Sequence, residues 1–541
     1  MSLIGDSESF PIRWDDPADA ELSWSFNLMH SPDVKPPLEL ELTNKPFMQG
    51  FGLALTELGF KTDIRLLQVN YYLYSNWTTA AGGPPPRPSF EDMIEKSEPH
   101  GRRWREEILP EVQELTNYFL YQDFDALSEA GLVDELKKLQ ETRVRAGQLH
   151  TLTMRPWSQI MELFVDTYQE LTGKDDLSAT RLLQGYDNKS VEAGTALWKL
   201  SRLVASNPSV RTEIDHLSEA TAEEVLAALR DQPEAKAFID ALDSFLQEFG
   251  WRTDLLGLAS PTWVEDPTIP LKQLQKYLEL DDYDPEAERR RLASERDSAI
   301  KETMEGLDEQ ARLKLQTILD IAHDVNPVLE DHNYYIDQRL TTAPRRLILA
   351  AGRRLVSIGS LDSPEDVFFL QLDELNSALL GESLDLKKSV LRRKQEMENW
   401  SRETPLASIG AEPPSDDPRR NDRMRGGHNF EADQPGLLLG NGASAGIVQG
   451  TARIFRTLKD VDRLNKGDVL VACTTMPPWT PLFAIAIAIV VETGGILSHP
   501  AITAREYGLP AVLRVKDATT IIRDGQLLEV DGNKGRVRII S

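Results

Sequence analysis

The tightest constraint on the fold lies near the C-terminus, where the apolar run PLFAIAIAIVV, Pro481 to Val491, leads straight into a glycine turn and a histidine. The run is too short to cross a bilayer, which takes about 18 residues, and its Ile and Val content predicts a buried strand. Gly494 and Gly495 permit positive φ and leave bare backbone open to a ligand. Pro500 presets the φ of a first helical turn and has no N–H to leave unbonded, so a helix is predicted from Pro500 to about Tyr507, stopped by Gly508 and Pro510. His499 then sits at or beside the N-cap, where free N–H groups and the helix dipole favour an anion such as a phosphoryl group on the imidazole. Taken alone, the pattern also fits a histidine that only caps a helix.

The wider stretch ETGGILSHPAITAREYGLPAVL, Glu492 to Leu513, resembles the phosphohistidine, or swivelling, domain of the PEP-utilising enzymes. The matched positions are Gly494, Gly495, His499, Ala501, Ile502, Ala504, Arg505, Glu506, Gly508, Pro510, Ala511 and Val512. LLLGNGASAGIVQGTARIF and KGDVLVACTTMPPWTPLF upstream resemble the family's opening strands and the loop near its histidine. DGQLLEVDGNKGRVRII downstream resembles its closing hairpin, with Asp531-Gly532 as the turn. The resemblance implies a compact β/α domain over 437–541 whose histidine alternates between two active sites. It also implies His499 as the phosphoryl carrier, with Thr493, Gly494, Gly495, Ser498 and Arg505 as phosphate-binding candidates. For Arg505, packing or a surface salt bridge is an equal alternative. Leu497 stands where PEP synthase and pyruvate phosphate dikinase carry a regulatory threonine, which puts that control in doubt here.

Composition narrows the class of partner. A chain of 541 residues has length for two to four domains, and a net charge of −27 with pI near 4.8 argues against nucleic acid or an anionic membrane as the main partner. The N-terminus MSLIGDSESFPIRW lacks a signal-peptide pattern, and Cys473 is the single cysteine, so a cytoplasmic, reducing setting is expected. In VLVACTT, Cys473 reads as a buried strand thiol. No metal site is expected.

From the N-terminus, Trp14, Trp24 and His30 lie in a segment that resembles the start of the substrate region in rifampicin-phosphotransferase-like and phenylphosphate-synthase-like members; two tryptophans anchoring a core edge is the alternative. GGPPPRP, Gly82 to Pro88, reads as a loop or rigid spacer. Helical spacing then dominates: Trp104 to Tyr121, Leu127 to Gln148, and Ala220 to Phe249 with a break near Pro233. His150, in LHTLTMRPW, is placed at a helix end or loop in a structural role. Gly250, Arg252, Pro261, Trp263, Glu265, Asp266 and Pro267 form a second, weaker match to family members.

Asp284 to Gly359 reads as two or three long helices. In VLEDHNYYIDQRL, Leu329, His332, Ile336 and Leu340 make one helical stripe, and Glu330, Asn333, Tyr334 and Asp337 another. His332 fits the core, whereas the polar stripe fits a pocket wall. Because the resemblance puts substrate contacts in this region, Glu330, His332, Asn333, Tyr334 and Arg339 are candidate substrate-binding residues. Arg345 and Arg346 fit exposed solubilising positions better than an anion site. After Trp400 the polar, Pro- and Arg-rich sequence reads as a tether.

The expected fold is therefore multidomain, α plus α/β: a mostly helical substrate-binding region over 1–403, a flexible linker over 404–436 and the His domain over 437–541. Neither a P-loop nor an ATP-grasp-like segment is recognised, and no PEP/pyruvate barrel follows the His domain. The layout resembles phenylphosphate synthase or rifampicin phosphotransferase with the ATP-binding part encoded separately. That implies an ATP-grasp-type partner subunit binding ATP and Mg²⁺, transfer to a small phenolic hydroxyl, and AMP and phosphate as products. A non-catalytic regulatory partner and a PEP- or pyruvate-linked carrier are the alternatives.

Overall fold

The computed structural model describes residues 10–79, 89–254, 257–412 and 434–540. Gly82–Pro88 and most of the expected linker lie outside the described residues. The N-terminal end opens with a small antiparallel sheet of order β2-β3-β1-β4, formed by β1 (Ser23–Phe26), β2 (Thr62–Val69), β3 (Tyr72–Thr79) and β4 (Ser408–Gly410). Asn70 and Tyr71 both take positive φ, the two-residue turn whose twist suits a hairpin. β4 pairs with β1, so the stretch just after residue 404, expected as linker, adds an edge to this sheet. Trp24 is 1 % exposed in the sheet's core, with Trp14 packed at its margin. Both tryptophans thus serve the core edge.

The helical body is built on one helix, Glu129–Thr172, capped by Ser128. His150 lies in the middle of it, not at a helix end as the sequence implied. Pro156 does not stop the helix, although it removes one backbone donor. Leu149, Leu152, Trp157, Ile160 and Phe164 are buried on its face, and Trp157 Nε1 donates to the Val325 carbonyl at 3.1 Å. That burial outweighs one lost hydrogen bond. The helix Lys45–Glu57 crosses it at two glycines: a Cβ on Gly50 would overlap the Val144 carbonyl, and one on Gly147 the Phe47 carbonyl. Gly147→Val is therefore expected to force the helices apart and cost about 3 kcal/mol, the upper range for overpacking. Urea unfolding measures it; an unchanged midpoint would show that the close crossing is not needed.

Glu309–Val325 and Arg345–Ser357 complete the packing against the long helix. Arg345, expected at the surface, is 3 % exposed: its Nε meets both Glu265 oxygens at 2.9 Å and its Nη1 donates to the Leu258 and Ala259 carbonyls. Arg346 likewise donates to the Phe119 and Leu120 carbonyls. Between these helices the segment Asn333–Arg339 winds as a π-helix, which displaces the two expected stripes.

The C-terminal module is a mixed sheet of order β5-β12-β11-β7-β8-β9-β10-β6: β5 (Leu437–Leu439), β6 (Asn441–Ser444), β7 (Ile447–Phe455), β8 (Asp468–Ala472), β9 (Ala488–Val491), β10 (Ala511–Leu513), β11 (Leu527–Asp531) and β12 (Arg536–Ile539). The strands β7, β8, β9 and β10 pair in parallel, and β11 and β12 form the closing hairpin. Only Ala488–Val491 of the apolar run is strand; Pro477–Ala484 is a 3₁₀ helix, because its prolines cannot donate to a ladder. Cys473 directly follows β8, and burial pushes its thiol well above the usual range. No helix among the described residues is long and apolar enough to cross a membrane.

Module and body share their apolar cores. Leu197, Leu200, Leu274 and Tyr277 of the body cluster with Leu482, Phe483, Ala501 and Ala504, while Leu329, Ile336 and Leu340 cluster with Ile496, Leu497 and Ile502. Leu497 is thus a fully buried seam residue.

Candidate active site

β9 runs fully buried to Val491, and Glu492 then fixes the exit from the strand by accepting from Thr519 N and Oγ1 at 2.7 and 2.6 Å. Gly494, at φ +85°, makes the turn. Ser498 Oγ donates to the Gly495 carbonyl at 2.7 Å, and the helix His499–Glu506 starts at the next residue. The chain therefore carries His499 on the first turn, facing the helical body.

The His499 ring is 8 % exposed, and its polar partners lie on both sides of the seam. Nδ1 lies 2.9 and 2.8 Å from the two Glu330 oxygens and 3.3 Å from Thr503 Oγ1. Glu330 is 1 % exposed and also accepts from Ser190 Oγ at 2.5 Å. An ionised carboxylate only accepts, so Nδ1 carries the proton and Nε2 keeps its lone pair. Nε2 is buried and has no hydrogen-bond partner among the described residues. One ring nitrogen is fixed and the other is left as a nucleophile.

The remaining candidates divide. Thr493, Gly494, Gly495 and Ser498 form the turn leading to the ring, but the Ser498 hydroxyl is engaged by Gly495. Arg505 does not face the imidazole: its fully buried guanidinium donates to the Ala443 and Ile496 carbonyls at 2.9 Å, and burial lowers it to about 10. It lies on the inner face of the short helix and ties the turn to β6. Of the body candidates, Glu330 is the one with a hydrogen bond to His499 among the described residues. Tyr334 Oη donates to the Glu248 carbonyl at 2.5 Å, and Arg339 Nη1 donates to Tyr334 Oη at 3.3 Å. The Asn333 amide oxygen is buried without a partner among the described residues. His332 is not a simple core residue, for it meets His150 and Asp337.

Ser190 and Lys189 were not expected. Lys189 Nζ lies 5.4 to 5.8 Å from the rings of Phe249, Tyr334 and Tyr335, and pairs with Glu192 and Glu248 at 2.7 and 3.1 Å. Their one sequence signal is Asn188, which caps the helix Lys189–Ala205.

At the far end of the short helix, Glu506 Oε2 accepts from Gly185 N at 2.8 Å and Tyr186 N at 3.1 Å across the seam. Burial raises its carboxyl from 4.5 to about 8, against the opposing pull of those donors and Arg505. The docked state therefore binds a proton that a water-exposed Glu506 would release. Its contribution to docking is complete below pH about 4.5 and is lost as pH rises through 8, by up to about tenfold per pH unit in the docking equilibrium. Small-angle scattering should show a more open chain at pH 8.5 than at pH 6, with the difference flattened in Glu506→Gln. Identical profiles for the two proteins would remove Glu506 from the docking equilibrium.

Two family models match this architecture. Residues 150–328 match the rifampicin phosphotransferase fourth domain, and 464–535 match the PEP-utilising enzyme mobile domain. The chain belongs to the PEP-utilising enzyme family. The mobile-domain match contains His499 and its helix, and the other match ends just short of Glu330. Chondramide synthase cmdD of Chondromyces crocatus is 32% identical over 98% of this chain and 14% of its own length. The uncharacterized phosphotransferase YvkC of Bacillus subtilis is 29% identical over 78% of the chain and 51% of its own. The rifampicin phosphotransferase of B. subtilis is 28% identical over 65% and 40%. The chain thus spans about half or less of the length of each of these relatives.

Proposed function

We propose that the chain is the carrier and acceptor part of an ATP-dependent phosphotransferase. His499 Nε2 carries the phosphoryl group and delivers it to the hydroxyl of a small, phenolic substrate bound by the helical body. The observation that carries this reading is the split imidazole, with Nδ1 fixed by Glu330 of the body and Nε2 buried without a hydrogen-bond partner among the described residues. In transfer, the Nε2–P bond breaks as an O–P bond forms to the acceptor, the acceptor's proton leaves to a base, and Nδ1 keeps its proton. Phe249, Tyr334 and Tyr335 around Lys189 supply aromatic surface and a cation suited to a phenol and an incoming phosphoryl group. The rifampicin phosphotransferases among the relatives support a small organic acceptor.

The residues meeting His499 do not fit a nucleotide. Its partners are Glu330 and Thr503, and Arg505 is tied up inside the module. ATP and Mg²⁺ therefore belong, in this reading, to an ATP-grasp-type module reached when the His module undocks, and the setting is cytoplasmic. The test is to mix the full chain with that ATP-binding module and ATP labelled in the β-phosphoryl group, then add phenol. Acid-labile label on the chain that phenol discharges, with AMP formed, is the expected result. A chain that never takes up label supports a regulatory partner instead, and discharge by pyruvate but not phenol supports a PEP-linked carrier.

A further inference from the structure

A second polar cluster lies in the helical body, outside the His499 contact. His150 projects from the long helix, His332 immediately precedes the segment Asn333–Arg339 wound as a π-helix, and Asp337 lies within that segment. An α-helix sets residues five apart on different faces, whereas the wider π turn brings them together, and π turns recur at functional sites. His150 Nδ1 is 3.0 Å from Asp337 Oδ1, and His332 Nε2 is 3.4 Å from Asp337 Oδ2. One donor atom from each residue lies within 4.8 Å of the other two.

The proton count at His332 leaves this cluster short of a positive charge. Its Nδ1 is 3.1 Å from the Val328 carbonyl, which can only accept, so Nδ1 carries the hydrogen. In the neutral ring, Nε2 then turns a lone pair toward a carboxylate oxygen. Two acceptors in that position call for a proton or a metal cation between them. An imidazole whose other nitrogen donates to a backbone carbonyl is the arrangement that orients metal-binding histidines.

We propose that His150, His332 and Asp337 bind one divalent transition-metal ion of the Zn²⁺ class, with coordination positions left open. Bonds of about 2.0–2.2 Å set neighbouring ligand atoms about 3.0–3.5 Å apart, which accommodates the two measured separations, one to each oxygen of an Asp337 carboxylate that binds through both. Two imidazoles and one carboxylate suit Zn²⁺, Fe²⁺ or Mn²⁺ rather than Ca²⁺ or Mg²⁺. The His332 side chain is 3 % exposed, Asp337 14 % and His150 18 %, which puts the open side toward His150 and Asp337. Phe47 and Phe51, with ring centroids 5.3 and 5.9 Å from His150, form an apolar wall. Buried Arg143 also acts on Asp337 and donates to Thr341 Oγ1; its charge opposes the ion and weakens binding relative to a structural zinc site.

The test uses the full chain, stripped with chelator and titrated with Co²⁺ and Zn²⁺. One equivalent of Co²⁺ with visible d–d absorption is expected, together with a Zn²⁺-dependent rise in Tm. Asp337→Asn and His150→Gln, each checked for an unchanged circular dichroism spectrum, should weaken binding at least about 10-fold and lose the Tm shift. Ion uptake equal in wild type and both variants, or no stoichiometric uptake by wild type, overturns the site and leaves a protonated imidazole–carboxylate cluster. No phosphoryl donor enters this measurement, so its failure is separate from failure of the phosphotransfer reading.

Discussion

Replacing His499 with asparagine is expected to abolish phosphoryl uptake from the ATP-binding module, by about 10⁴-fold or more, because no other group takes the place of a lost nucleophile. Asparagine keeps a short polar side chain at the start of the helix His499–Glu506, so the turn and the seam around Leu497 and Ile502 should survive. Acid-labile label on the chain is the readout, and unchanged circular dichroism controls for folding. Label at wild-type level on the variant would put the carrier elsewhere in the chain. The structure makes that outcome costly to explain: Nε2 of His499 is a buried acceptor without a partner among the described residues, an arrangement that natural proteins seldom keep without a use.

Glu330→Gln should separate the two halves of the reaction. Glu330 belongs to the body and meets His499 only in the docked state, so loading at an ATP-binding module should continue. Discharge to the acceptor should fall about 10²-fold, the scale seen when one charged contact to the reacting group is lost. The carboxylate accepts the Nδ1 hydrogen, and an N-phosphoryl imidazole that keeps this proton is cationic and releases its phosphoryl group more readily. Glutamine keeps the shape but offers a neutral amide. Chasing the loaded chain with phenol measures the step, and equal discharge by variant and wild type would leave Glu330 as a docking contact alone. The companion Ser190→Ala removes one donor to the same carboxylate and should have a smaller effect in the same direction.

The histidine, its turn and its helix were legible because they are local. Gly494, Pro500 and Gly508 impose backbone conformations that hold in any surroundings. The features that were missed depend on partners distant in the chain. Arg345 read as a surface residue because Glu265 lies 80 positions away, and nothing nearby announces the pair. For Arg505 the sequence left an anion contact and a packing or salt-bridge role equally open, and the Ala443 carbonyl on β6, 62 positions away, decides for packing. His150 read as lying at a helix end or loop, and only the packed face around Trp157 shows why the helix continues through that segment. His332 and Asp337 fell on different stripes because α-helical periodicity was assumed, and the π turn abolishes it.

The seam where Leu497, Ile502 and Phe483 enter the body's cores makes closure of this molecule a hydrophobic event. Separation wets nonpolar surface and so raises the heat capacity, which gives the closed form a temperature of greatest strength instead of a steady gain on cooling. Chilling should loosen the grip of the body on the histidine, and sulfate should tighten it. The rate at which the His499 module lets go of the body is thereby tied to the hydration of this seam as well as to the contacts around the imidazole.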